Sequence, residues 1–167
     1  MFKELSAKDF DFNAFQLIGE KWMLVTAQNE DGNVNTMTAS WGGVGVLWGK
    51  SVAFVFIRPQ RYTKEFVDNA TGFSLCVLPD GNKEKLTYLG KTSGKTEDKI
   101  AKAELTIENC GDVPYFSESE NVFILKKLYR QNLEENCFLD TALLSNYPEK
   151  DYHIMYVAEI EKVLVKE

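Results

Sequence analysis

One feature constrains this chain more than any other: an apolar strand that stops dead at a cationic turn. Val52 to Ile57 reads V-A-F-V-F-I, and Arg58-Pro59-Gln60-Arg61-Tyr62-Thr63 follows at once. A continuous apolar run of this length fits a strand buried on both faces. Pro59 has no N–H to give a sheet ladder and biases Arg58 to extended geometry, so the strand must end there. Thr63 suits the cap of a helix running to about Asn69, with Glu65 in its first turn. Arg58 and Arg61 then stand beside the free N–H groups of a helix start, a place that attracts an anion.

The residues before this strand add a second kind of chemistry. Trp22 to Gln28 and Val34 to Ser40 read as two strands joined through Asp31-Gly32, a hairpin signal. In the second strand Met37 and Ala39 alternate with Thr36, Thr38 and Ser40, so one face is small and apolar and the other carries hydroxyls. A glycine-rich crossing, Gly42 to Gly49, follows between Trp41 and Trp48. Hydroxyls, small residues, a large aromatic and a cationic turn suit a flat aromatic ligand that carries a phosphate. A second hydroxyl-and-cation cluster, Ser93, Lys95 and Lys99, sits further along.

The rest of the chain reads as short elements without linker, repeat or low-complexity tract, which predicts one domain over residues 1–167. Asn13 can cap a helix over Ala14 to Ile18 that Gly19 ends. Phe73 to Leu78 reads as a strand. Asn82 to Leu89 reads as a helix stopped by Gly90, and Lys91 to Asp98 as a polar loop before a helical turn at Lys99 to Ala103. Leu105 to Glu108, Val122 to Leu133 and His153 to Lys166 are further strands, with one helical turn at Asp140 to Leu144. Six or more strands joined by hairpins and a few short helices favour a mainly β fold, a closed or partly closed antiparallel barrel.

Charge and composition exclude several classes. A net charge of -6 and a pI near 5.0 argue against nucleic acid, which needs a basic face. No apolar run is long enough to span a membrane, and Met1 to Glu4 carries no apolar signal core, so the expectation is a cytoplasmic protein. Cys76, Cys110 and Cys137 lack metal or redox-pair spacing and read as free thiols, with Cys76 buried in its strand. His153 is the single histidine, which argues against a His-based metal site or a Ser-His-Asp triad.

Two near-motifs fail. Gly43-Val44-Gly45 with Gly49 has one residue too many for a dinucleotide fingerprint and runs into a strand, where that fingerprint needs a helix. Gly90 to Thr96 is one residue short of a phosphate-binding P-loop and follows a helix, where the P-loop needs a strand. Three residues keep two readings each. Trp41 either covers a flat ring or fills the end of the barrel. His153 is either a strand-end surface residue or part of a site. Lys95 is either a phosphate ligand or a solvated surface charge.

Taken together, several stretches resemble the flavin reductase-like family, the FMN-binding split barrels that include flavoredoxin. They are N-T-M-T-A-S-W-G (Asn35 to Gly42), I-R-P-Q-R-Y-T-K-E-F (Ile57 to Phe66), T-S-G-K-T-E-D-K (Thr92 to Lys99), P-Y-F-S-E-S-E-N-V (Pro114 to Val122), K-L-Y-R-Q (Lys127 to Gln131) and D-Y-H-I-M-Y-V-A-E-I (Asp151 to Ile160). The resemblance implies a Greek-key split barrel that binds FMN near the interface of a homodimer. It implies that Asn35, Thr38, Ala39, Ser40 and Trp41 line the isoalloxazine and ribityl region, and that Arg58, Thr63, Ser93 and Lys99 hold the phosphate. His153 matches a histidine found near the flavin in relatives. The family loop often reads S-G-R-D-x-D-K, whereas this chain has Lys95 in place of the arginine and so lacks its bidentate fork. The activity implied is a flavin reductase using NADH or NADPH, with an FMN electron carrier served by a redox partner protein as the alternative.

Overall fold

The computed structural model describes residues 1–167. Its strands run in chain order as β1 (Phe2–Leu5), β2 (Met23–Gln28), β3 (Val34–Ala39), β4 (Gly42–Leu47), β5 (Lys50–Ile57), β6 (Gly72–Val77), β7 (Ile107–Cys110), β8 (Val113–Phe116), β9 (Asn121–Asn132) and β10 (Ile154–Lys166). Three α-helices are interleaved, α1 (Tyr62–Asn69), α2 (Lys83–Lys91) and α3 (Lys99–Lys102). The main sheet is antiparallel, in the order β3-β2-β6-β9-β10-β5-β4, and β1 continues the β5 edge of β10.

The order itself forces the sheet to roll up. Strands β3 and β4 lie at opposite ends of it, yet only Ser40 and Trp41 separate them in the chain. Six inter-strand steps laid flat would span ~29 Å, whereas three Cα–Cα steps reach at most ~11 Å. Curling is the only way to meet both. No ladder joins β3 to β4, so the barrel is split at this seam. Ser40 and Trp41 lie in the split.

Strand alternation divides the apolar residues between two layers. Inside the barrel pack Val25, Ala27, Val55, Ile57, Phe73, Leu75, Phe123, Leu125 and Tyr156, closed below by Phe66 and Val67 of α1. Leu24, Cys76, Val122 and Ile124 point to the other face and meet Leu86 and Leu89 of α2, Ile100 of α3, and Tyr115 and Phe116 of the β7–β8 hairpin. The middle strands are therefore buried on both sides. β5 is not: Phe54 and Phe56 on its outer face are only half-buried, because no helix covers that side. The expectation of a strand buried on both faces is corrected there.

Other local expectations shift for identifiable reasons. Asn13 does cap its helical turn, accepting from Phe15 and Gln16 N–H at 3.1 and 3.2 Å. The turn runs past Gly19 as a π-helical segment to Lys21, and it ends at Trp22, which has a positive φ (70°), and not at Gly19. The glycine-rich crossing is a strand, β4, paired to β5 and closed by a Trp48-Gly49 turn in which both residues have positive φ. Gly42 is required in it, since a Cβ would sit 2.7 Å from the Phe54 carbonyl oxygen. Arg61, not Thr63, caps α1, and Thr63 lies inside its first turn. Gly90 belongs to α2 and does not stop it; a Cβ there would press on Thr38 at 3.1 Å. Strands β1 and β8 carry no sequence expectation, and each forms by pairing with a neighbour, β10 and β7 respectively.

Candidate functional site

The end of β5 and the start of α1 build one wall of a polar cavity of about 430 Å³. Pro59 terminates the strand, Arg61 turns the chain, and α1 begins with its first N–H groups facing the opening. The N–H groups of Tyr62 and Thr63 have no acceptor in the protein. The opposite wall is the loop after α2, Lys91 to Gly94, together with Lys99. Asn35 of β3 joins the two: its Nδ2 donates to Thr63 Oγ at 3.0 Å, and Gly94 packs so closely on its amide that a Cβ would collide with Oδ1.

The cavity holds positive charge that the protein does not neutralise. Lys99 is buried, and its Nζ donates to the Leu89 and Thr92 carbonyls, both at 2.8 Å, with no carboxylate partner. Burial, aided by Arg61, lowers its pKa to about 8. Arg61 donates to the Gly90 carbonyl at 2.5 Å and likewise lacks a carboxylate; burial and Arg58 lower its pKa from the ordinary value. Arg58 differs. Its guanidinium bonds Asp151 at 2.5 Å and the Asn146 carbonyl at 2.8 Å, and it lies 5.0 Å above the Tyr147 ring. Buried cations are costly unless paired. Buried Lys99 and half-buried Arg61, together with free N–H groups, form a receptor for an anion, most aptly a phosphate.

A second cavity of about 220 Å³ adjoins the first, and Met37, Arg58 and Arg61 line both. Its other walls are Thr38, Ala39, Ser40, Trp41, Phe56 and His153. Trp41 is half-exposed and its ring centroid lies 5.2 Å from that of His153, so it lines the cavity and does not fill the barrel end. His153 is buried, which excludes the surface reading; burial first, then Arg58, pushes its pKa down to about 4. The arrangement has a cationic pole and an aromatic pole side by side.

The sequence-derived set is thus gathered in one region, with one change of place. Arg58, Thr63, Ser93 and Lys99 line the cationic cavity, and Thr38, Ala39, Ser40, Trp41 and His153 line the aromatic one. Asn35 belongs to the cationic cavity and not to the ring cavity. Lys95 lies outside both: it pairs with Glu65 at 2.8 Å and sits over the Tyr62 ring. Arg61 was legible as part of the cationic turn but is not among the residues that the resemblance assigns to the phosphate. Phe56 and Gln60 gave no functional signal of their own.

The residues 15–167 match the flavin reductase like domain. The chain belongs to that family. Solved structures with the same split-barrel fold include an FMN-binding domain of flavin reductases-like enzyme from Shewanella baltica OS155, with TM-score 0.70, 15% identity and coverage of 99% of this chain and 77% of the other. Flavoredoxin of Desulfovibrio vulgaris (Miyazaki F) has TM-score 0.69, 24% identity and coverage of 100% and 78%. An FMN-binding protein from Thermus thermophilus, solved with bound p-hydroxybenzaldehyde, has TM-score 0.67, 21% identity and coverage of 95% and 79%. No curated protein matches the sequence. The chain is mainly β, has no helix long and apolar enough to cross a membrane, and has no cluster of three or more His, Cys, Asp or Glu side chains placed to hold a metal.

Proposed function

We propose that this chain is a single flavin reductase-like domain that binds FMN and acts as an NAD(P)H-dependent flavin reductase. The observation that carries the reading is the pair of carboxylate-free cations, buried Lys99 and half-buried Arg61, beside an aromatic cavity of suitable polarity. Lys99, Arg61, Ser93 and the N–H groups of Tyr62 and Thr63 hold the phosphate. Arg58, pinned by Asp151, stands at the boundary between phosphate and ribityl chain. Thr38, Ala39, Ser40 and Trp41 line the ring, and Asn35 braces the loop against α1. When bound, FMN supplies hydride acceptance at N5. The protein's part is to orient the ring, shield it from water and place donors where reduced flavin gathers negative charge. No side chain needs to act as a nucleophile.

Half-exposed apolar groups on the uncovered face of β5 and its neighbours support a homodimer. Trp48 and Tyr129 are exposed, Phe54 and Phe56 half-exposed, and Trp48 and Tyr129 lie 6.1 Å apart. A monomer rarely leaves so contiguous an apolar face to water. The three thiols are unpaired, consistent with a reducing cytoplasm.

The net charge of -6 supports a second reading, an FMN electron carrier that docks a basic redox protein. Anaerobic addition of NADH and NADPH to the FMN-loaded protein separates the two. Rapid bleaching of the flavin band supports the reductase; a band that persists with both donors refutes it in favour of the carrier.

A further inference from the structure

His153 borders the ring cavity with one ring nitrogen engaged and one open. Nδ1 lies 2.8 Å from the Tyr147 hydroxyl. Nε2 has no protein partner, yet it is not among the buried atoms left without one, so it opens to the cavity. Tyr147 is buried and held by Tyr152 and Phe138, at ring centroid distances of 5.1 and 5.8 Å, and by Arg58 above its ring.

This geometry decides where the imidazole proton sits. Burial raises the Tyr147 pKa, so the phenol keeps its hydrogen. Its one acceptor in the structure is Nδ1 of His153. A proton on Nδ1 would leave the buried phenol hydrogen without an acceptor, at a cost of ~1–3 kcal/mol. The groups facing the imidazole agree with a neutral ring: Arg58 and Arg61 disfavour a positive charge, and Asp151, which favours one, is tied to Arg58 and Gln60.

We propose that Tyr147 is a positioning residue that fixes His153 in the tautomer protonated on Nε2, so that His153 presents a neutral hydrogen-bond donor to a carbonyl oxygen of the ligand in the ring cavity. The carbonyl belongs either to the flavin pyrimidine ring or to a nicotinamide carboxamide. That part rests on the flavin reading above; the tautomer does not. A ring neutral down to about pH 4 donates a hydrogen bond at neutral pH but no proton, which separates this role from that of a general acid.

The single histidine makes the test unambiguous, because ¹⁵N NMR of the labelled protein contains one imidazole. In the wild type near pH 7, free and FMN-loaded, Nε2 should be protonated and Nδ1 not. In Tyr147→Phe the two nitrogens should move toward a tautomer mixture. A protonated Nδ1 in the wild type, or an unchanged pattern in Tyr147→Phe, overturns the lock. For the donor, His153→Gln keeps an N–H near the Nε2 position and His153→Leu does not. Leu should weaken one ligand by about tenfold, with Gln restoring most of it. Loss in FMN affinity assigns the flavin carbonyl, and a raised nicotinamide KM with unchanged FMN affinity assigns the carboxamide. A Leu variant equal to wild type in both constants, or a Gln variant as impaired as Leu, overturns the donor role. A wild type that takes up no FMN refutes the flavin reading, while the NMR result still decides the tautomer.

Discussion

Lys99 makes a prediction in which the sign and the size both follow from its surroundings. In the ligand-free protein it loses its proton near pH 8, not 10.5, because it is buried and faces Arg61. That depression is worth about 3 kcal/mol against the charged form. A bound phosphate supplies the missing negative charge and returns the pKa toward its ordinary value. Above pH 8 the free protein sheds a proton that the complex must recover, so affinity falls as pH rises. Between pH 7 and pH 9 the FMN dissociation constant should increase about tenfold. Lys99→Met removes the ammonium and keeps most of the volume. It should weaken FMN binding at pH 7 by ~1.5–3 kcal/mol, the worth of a charged hydrogen bond, and abolish the pH dependence. Stability of the ligand-free protein gives an independent sign. Its folded pKa lies below the unfolded one, so the unfolded chain holds more protons between about pH 8 and 10.5 and stability rises with pH across that window. The variant should lack this rise. Quenching of FMN fluorescence on titration, with chemical denaturation as the companion, measures both. A wild-type affinity that is flat from pH 7 to 9, or a slope that survives in Lys99→Met, refutes the reasoning.

Three further outcomes are expected. Gly94→Ala places a Cβ against Asn35 Oδ1 and strains its bond to Thr63, so FMN affinity should drop about tenfold with a cooperative melt retained; unchanged affinity would remove Asn35 as the brace. Asp68 accepts from Lys64 at 2.5 Å, Tyr156 at 2.7 Å and Arg130 at 2.9 Å. Burial pushes its pKa up but these bonds pull it below the usual range, so its contribution is present at neutral pH and lost as pH falls through the folded pKa. Asp68→Asn should cost about 2 kcal/mol at pH 7 and nothing in strong acid, as urea denaturation at several pH values would reveal. Aspartates at both Trp48 and Tyr129 should convert a dimer to a monomer in sedimentation velocity; a monomeric wild type contradicts the proposed interface.

What the sequence revealed depended on whether a signal was local. The end of β5 was legible because Pro59 enforces it, and the β2–β3 hairpin because Gly32, at φ 81°, and Asn29, which accepts from Asp31 and Asn33, build the turn within a few residues. β4 was hidden because its glycines look like a loop; its strand character comes from pairing with β5, and Gly42 is there for close approach. Gly90 misled in the same way, since its place in α2 answers to Thr38 across the packing interface. In the site, the cations and hydroxyls were visible by type, but their partners were not. Arg58 meets Asp151 and His153 meets Tyr147 only after the fold brings the segment beyond β9 against the β5 turn. That segment converts Arg58 from a free cation into a fixed one and leaves Arg61 and Lys99 as the uncompensated pair.

The central claim is that this uncompensated cavity is a flavin site. The most direct test is the absorbance spectrum of the purified protein after saturation with FMN and removal of excess, then after anaerobic NADH and NADPH. One retained flavin per chain that bleaches with a nicotinamide is the predicted result. A protein that retains no flavin after loading contradicts it.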